Sequence, residues 1–199
     1  MPRIVDHAQR REEIVLGLWQ VIHERGIDGV SFRTVAEAAG VSIGRVQHYF
    51  GSKDELVVHG CRAMVDAAQA DHGPKPLSSG GGAAARDVLI AFLDAPLPES
   101  TGSRLGASVW VTYQAKSVSH PGIAQVVAEA LAGRTRTVED LLVAARGPGA
   151  AAGAESRAEA LALASLSEGL TLRVLVGALP VGEARALIRD AVDRALAEG

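Results

Sequence analysis

Between Ser31 and Phe50 the chain reads Ser-Phe-Arg-Thr-Val-Ala-Glu-Ala-Ala-Gly-Val-Ser-Ile-Gly-Arg-Val-Gln-His-Tyr-Phe, and no other stretch constrains the fold as much. Two short segments of helical period each open on a serine placed as an N-cap, Ser31 and Ser42, and they hinge on Gly40. The small Ala36 and Ala39 let two helices approach closely, and Gly40 accepts the left-handed backbone that a tight turn needs. Val41 and Val46 suit a small core shared with Val35 and the preceding helix. Ser42, Ile43, Gly44, Arg45, Gln47 and His48 are then left on the outward side of the second short helix. Arginine pairs bidentately with guanine and glutamine with adenine. Ser42 and the backbone N–H groups of the helix start suit phosphate oxygens. An ordinary helical hairpin has no need of Gly40, two capping serines and an outward Arg-x-Gln-His together.

The rest of the chain uses the same helical alphabet. From Asp6 to Arg25 the apolar Ile14, Val15, Leu18, Val21 and Ile22 recur at helical spacing, and Gly26 closes the segment. Ser52 opens a further helix with Asp54 and Glu55 in its first turn, where the helix dipole favours acids, and that helix runs to about Ala70. Helices follow at about 83–95, 103–117, 121–145, 155–177 and 183–197, separated by Gly- and Pro-rich connections at 71–82, 96–102 and 147–153. With 48% apolar and 22% charged residues the composition excludes wholesale disorder. Only 4% of residues are aromatic and alanine, the best helix former, is abundant. The expected fold is all-α, with about nine helices. It comprises an N-terminal three-helix helix-turn-helix domain over 1–55 and a helical bundle over 56–199, with the helix from about 53 to 70 common to both.

The formal net charge of −3 does not favour a nucleic-acid partner. Within 31–53, however, Arg33, Arg45 and Lys53 face only Glu37, so any DNA-binding surface is a local basic patch. The single cysteine, Cys61, excludes an internal disulfide and a cysteine-based zinc cluster. His59, Cys61 and His72 match no ligand spacing. The chain contains no Gly-x-Ser-x-Gly, His-Glu-x-x-His or Walker-type sequence, so neither catalysis, metal nor cofactor is expected. The N-terminus has no apolar signal segment, and no run approaches 18 apolar residues. A soluble, cytoplasmic protein with no membrane contact is the expectation.

The run Gly40-Val41-Ser42-x-Gly44-x-Val46-x-His48-Tyr49-Phe50-x-Ser52-Lys53-Asp54-Glu55-Leu56 resembles the TetR family of bacterial transcriptional regulators. The upstream Ile14 to Gly26 and Val35-Ala36 fit the same pattern, so the resemblance covers about residues 10–60. It implies that Arg33 and Thr34 face DNA from the second helix. It also implies that Ser42, Ile43, Gly44, Arg45 and His48 form the reading helix, while Tyr49 and Lys53 hold phosphates. Gln47 stands where the family usually has an aromatic phosphate contact, so a base and a phosphate are both open to it. His48 is open to a phosphate or a structural hydrogen bond, and Phe50 reads as a core plug. The remaining chain is similar to the family's variable helical domain, and Glu168-Gly169-Leu170-Thr171-Leu172-Arg173 resembles its BetI subgroup.

The helix about 155–177 is apolar almost all round and must be covered on both sides. The last helix carries a stripe of Ala184, Leu187, Ile188, Ala191, Val192 and Ala195. Two such helices from each of two subunits make a four-helix interface, with Leu166, Leu170, Val174, Leu187, Ile188, Ala191 and Val192 as candidate contacts. Trp110, Tyr113 and Gln114 share one helical face at i, i+3 and i+4. With Phe92 they are candidates either for lining a small-molecule cavity, with Gln114 as polar handle, or for core packing. Arg173, set in an apolar helix, needs a carboxylate, a carbonyl or a ligand anion. The expected function is a homodimeric DNA-binding regulator, a repressor released from a palindromic double-stranded operator by a small-molecule effector. The alternatives are a helical small-molecule-binding or catalytic protein whose head docks protein, and a DNA-binding regulator with no ligand.

Overall fold

The computed structural model describes residues 7–72 and 81–197. Nine α-helices and one 3₁₀ turn make up the regular structure among the described residues: α1 (His7–Arg25), the turn Ile27–Gly29, α2 (Phe32–Ala38), α3 (Ile43–Tyr49), α4 (Lys53–His72), α5 (Gly81–Asp94), α6 (Thr101–Ser117), α7 (Pro121–Arg146), α8 (Ala154–Leu175) and α9 (Val181–Ala197). The all-α expectation therefore holds, with each expected helix in place. Of the expected 71–82 connection, residues 73–80 lie outside the described residues. Gly81 and Gly82, read as connection, instead open α5. The first turn of a helix has unbonded N–H groups and tolerates glycine, and a Cβ at Gly82 would come within 2.6 Å of the Ala145 carbonyl oxygen. No described helix is long and apolar enough to cross a membrane.

The chain divides into two compact units, Met1–Ala67 with Ser108–Val127, and Ala68–Ala107 with Ala128–Gly199. In the first, Ile14, Leu18, Val21 and Ile22 of α1 share a buried interior with Val35, Ala36, Val46, Phe50, Leu56 and Cys61. Phe50 is indeed a core plug, and burying a side chain of that size contributes roughly 1.5–3 kcal/mol. Packing is tight at Gly17 of α1, where a Cβ would lie 2.7 Å from that of Ala39. Close approach of α1 to the helix-turn-helix thus depends on a residue without a side chain.

The second unit packs α5, α7, α8 and α9 around Leu89, Leu93, Val138, Leu142, Leu163, Leu170, Val174, Ile188 and Val192. Here α8 turns one face inward, through Ala160, Leu163, Ala164, Ser167, Leu170, Thr171 and Val174. Its opposite face leaves Leu161 and Leu172 exposed, at 56% and 44%, and Val176, which follows the helix, is exposed at 67%.

Candidate nucleic-acid interface

Every start and stop around α3 has a local cause. Ser31 and Thr34 form a capping box: the Ser31 hydroxyl accepts from the Thr34 N–H at 3.1 Å, and the Thr34 hydroxyl accepts from the Ser31 N–H at 2.9 Å. Thr34 also donates that hydroxyl to the Gly29 carbonyl at 3.0 Å, which ties α2 to the 3₁₀ turn. Gly40 ends α2 with φ at +65°, a conformation that an L side chain rarely adopts. The Val41 N–H then donates back to the Ala36 carbonyl at 3.0 Å. Ser42 caps α3 by accepting from the Arg45 N–H at 3.2 Å. A hydroxyl has one proton and two lone pairs, so Ser42 keeps its proton for an outside acceptor. Ser52 caps α4 by accepting from the Glu55 N–H at 3.0 Å, and Glu55 returns a carboxylate oxygen to the Gly51 N–H at 2.8 Å.

One side of α3 is anchored and the other is open. Val46 is fully buried and Phe50 follows it into the core. Ser42, Ile43, Gly44, Arg45, Gln47 and His48 are exposed, as are Arg33 on α2 and Lys53 at the start of α4. Thr34 and Tyr49 are half-buried. The hydroxyl of Thr34 is occupied inside the head, which leaves its methyl group for an outside contact. The His48 and Tyr49 rings meet edge to face, with centroids 5.2 Å apart. Of the ten sequence-predicted residues, eight are exposed on α3, its cap and the flanking α2 and α4, while Thr34 and Tyr49 are half-buried.

Sequence reasoning missed Arg11 here. Its guanidinium lies 5.7 Å from the Phe50 ring centroid and donates to the Tyr49 carbonyl at 3.4 Å. It thus joins α1 to the C-terminal end of α3, where a cation suits the helix dipole. An arginine one turn before Ile14 was the available signal, but its pairing with a residue 38 positions away is tertiary. Gly17 was missed for the same reason.

The expected effector residues fall in both units. Trp110 and Gln114 are half-buried in the first unit, while Tyr113 is fully buried there. The Tyr113 hydroxyl has no hydrogen-bond partner, and burial pushes its pKa upward. Phe92 belongs to the second unit, where the Arg134 guanidinium stacks 4.8 Å from its ring centroid. Arg173, expected to meet a carboxylate, a carbonyl or a ligand anion, is exposed. It lies on the face of α8 that its own unit leaves to solvent. Arg134 is a sheltered arginine and donates to the Phe92 carbonyl at 3.4 Å and the Ser167 hydroxyl at 3.0 Å. It also faces Glu168, whose carboxyl burial pushes up. A groove of about 710 Å³ in the second unit, between Ile90, Ala91, Asp94, Leu97, Arg185 and Arg189, contains none of the expected ligand residues.

The dimer candidates need a similar correction. Leu170, Val174, Ile188 and Val192 are buried in the core of their own unit, and Leu166 and Ala191 pack against it. Leu187 alone among them is exposed, at 40%. An almost wholly apolar helix has no sequence signal for which face turns inward. No group of three or more metal-ligating side chains gathers among the described residues, and the His72 side chain lies outside them. Cys61 is buried, and burial pushes its thiol up to about 11.

Comparison with known proteins gives these features a family. The model of bacterial regulatory proteins of the tetR family matches residues 14–59, and that of the BetI-type transcriptional repressor C-terminal domain matches residues 85–197. The chain is 47% identical over 57 residues to the HTH-type transcriptional regulator PksA of Bacillus subtilis (strain 168), covering 29% of this chain and 28% of PksA. It is 31% identical over 133 residues to the HTH-type transcriptional regulator BetI of Stenotrophomonas maltophilia (strain R551-3), covering 63% of each. Both matches span less than two thirds of the relative. The crystal structure of a transcriptional regulator from Rhodococcus sp. Rha1 superimposes with a TM-score of 0.81 at 26% identity, over 94% of this chain and 96% of that one. With its N-terminal head and more than half of its length matched by the two models, the chain belongs to the TetR family of bacterial transcriptional regulators.

Proposed function

We propose that the chain is a repressor that acts in the cytoplasm as a homodimer on a palindromic operator and is released by a small molecule. The observation that carries this is the open edge of α3: Ser42, Ile43, Gly44, Arg45, Gln47 and His48 are exposed around a fully buried Val46. Arg45 and Gln47 address base edges in the major groove, while Ser42, His48, Tyr49, Lys53 and Arg33 address phosphates, with Thr34 beside them. The functional head is 1–55, and 56–199 is the effector and dimerisation domain.

Members of the family bind operators and function as dimers. A two-fold dimer sets its reading helices ~34–36 Å apart, in successive major grooves. The exposed face of α8 suits a second copy: Leu161, Leu172 and Val176 alternate with the small, exposed Ala162, Ser165 and Gly169. All six lie within about 100° of the helix circumference. Small residues let two helix axes approach while the larger ones interlock. Effector release requires tighter binding to the DNA-incompetent arrangement, since equal affinity shifts nothing. Trp110, Tyr113 and Gln114 on α6 remain the aromatic and polar group proposed to sense that effector.

A gel-shift and footprint on the DNA flanking its own gene tests this reading. Protection of a palindrome is expected, with affinity falling steeply as salt rises because phosphate contacts release counterions. A flat salt response, or equal binding to random DNA, would overturn it.

A further inference from the structure

His120 precedes Pro121 at the N-terminal end of α7, and its ring makes two bonds of opposite sense. Its carbonyl accepts from the Ala124 N–H at 2.9 Å, as an N-cap carbonyl does. Its ring Nδ1 lies 3.2 Å from the Ile123 backbone N–H, which can only donate. Nδ1 is therefore the acceptor nitrogen, and the proton of the neutral ring sits on Nε2. That nitrogen lies 2.6 Å from Oδ1 of Asp54. A donor on a carboxylate makes a charge-assisted bond, among the stronger kinds.

Asp54 occupies the second position of α4, next to Lys53 and four residues beyond Phe50. A separate contact holds the same two helices together: a Cβ at Gly122 would lie 3.0 Å from Cγ2 of Val58, one turn beyond Asp54. The first turn of α7 is thus packed on α4 by a close backbone approach and latched to it by the imidazole. Two further polar links join the head to α6, His23 to Ser108 at 2.5 Å and Lys116 to Asp28 at 4.0 Å. In neither does the side chain on α6 also cap a helix. His120 does both.

We propose that His120 is a positioning residue for operator binding. Through Asp54 it ties the α3–α4 corner, with Lys53, to the α6–α7 turn, so that a shift of either helix alters how α3 is presented. This rests on the reading of α3 as the DNA-contacting helix. Both α6 and α7 continue from the first unit into the second, so the latch is a place where a change along those helices reaches the head.

The test separates the latch from the cap. His120→Asn retains a good N-cap acceptor for the Ile123 N–H, but its shorter side chain does not reach Asp54. Asp54→Ala removes the acceptor, and Asp54→Asn keeps one for the Nε2 proton. His120→Asn and Asp54→Ala are each expected to lower operator affinity roughly three- to tenfold, as loss of one solvent-accessible hydrogen bond would. The double variant should be no weaker than either single change, and Asp54→Asn should recover most of the loss. A second readout needs no DNA: the backbone amide NMR signals of Arg45 to Lys53 should shift in His120→Asn while those of α8 stay in place. Parental operator affinity together with unmoved α3 signals would overturn the proposal and leave His120 as a cap alone. Shifted α3 signals in a parent that binds no DNA would leave the latch standing and sink the operator reading instead.

Discussion

The open edge of α3 and the open face of α8 are both surfaces that one chain leaves uncovered, and they differ in kind. The α3 edge is seven residues of helix, capped at its start and pinned by a single buried valine. Its outward groups are donors and acceptors that water satisfies until a more specific partner replaces it. The α8 face belongs to a helix of 22 residues and presents leucine, valine, alanine, serine and glycine. Such a surface gains from an apolar cover, as in the subunit contact proposed above. The two chemistries suit the two proposed partners, a polyanion with readable edges and a second apolar helix.

The comparison breaks most readily at α8. Leu172→Glu puts a charge at the centre of the proposed subunit contact, and leaving it buried and unpaired would cost about 3–5 kcal/mol. Sedimentation should show a folded monomer, and operator affinity should fall by two orders of magnitude or more. Leu170→Glu, two residues away but only 5% exposed, should instead unfold the second unit. A Leu172→Glu protein that stays dimeric would remove α8 from the interface.

At α3 the expected effect is smaller and more selective. Arg45→Ala should weaken operator binding by about 1–3 kcal/mol if its guanidinium pairs with a guanine, with little change on random DNA in competition gel shifts. Equal loss on both would reassign Arg45 to phosphate. The smallest effect belongs to Cys61, which belongs to neither surface. Its thiol is raised from 9.0 to about 11 by burial, so alkylation at pH 8 should be far slower than for a free thiol and should follow unfolding. Because the folded value is the higher one, the thiol's contribution to stability is intact below pH 9 and is lost as pH rises towards 11. Rapid labelling of the folded protein would contradict the burial.

How legible each surface was follows from the range of the forces behind it. Ser31, Gly40, Ser42 and Ser52 act within a turn of their own positions, so the borders of α2, α3 and α4 could be read directly. Val46 and Phe50 were legible because a short helix has few apolar positions to choose from. On α8 almost every position is apolar, and periodicity could not say which face turns inward. Leu170, Val174, Ile188 and Val192 were assigned to a partner and belong to the core. Arg173, in the same apolar run, is exposed. Trp110, Tyr113 and Gln114 share a helix face, yet that spacing says nothing of what faces them.

The amino-acid order alone determined the helical class, the borders of α2, α3 and α4 and the candidate reading edge. Caps, left-handed glycines and hydrophobic period are satisfied within a few residues of chain. The tertiary structure decided which side of α8 is core, that Gly17 lies against Ala39, that Arg11 reaches Tyr49, and that His120 is latched to Asp54. Each of these joins residues 20 or more positions apart, or depends on which neighbour wins a face. Packing of the whole chain settles such choices, and local preference is silent about them.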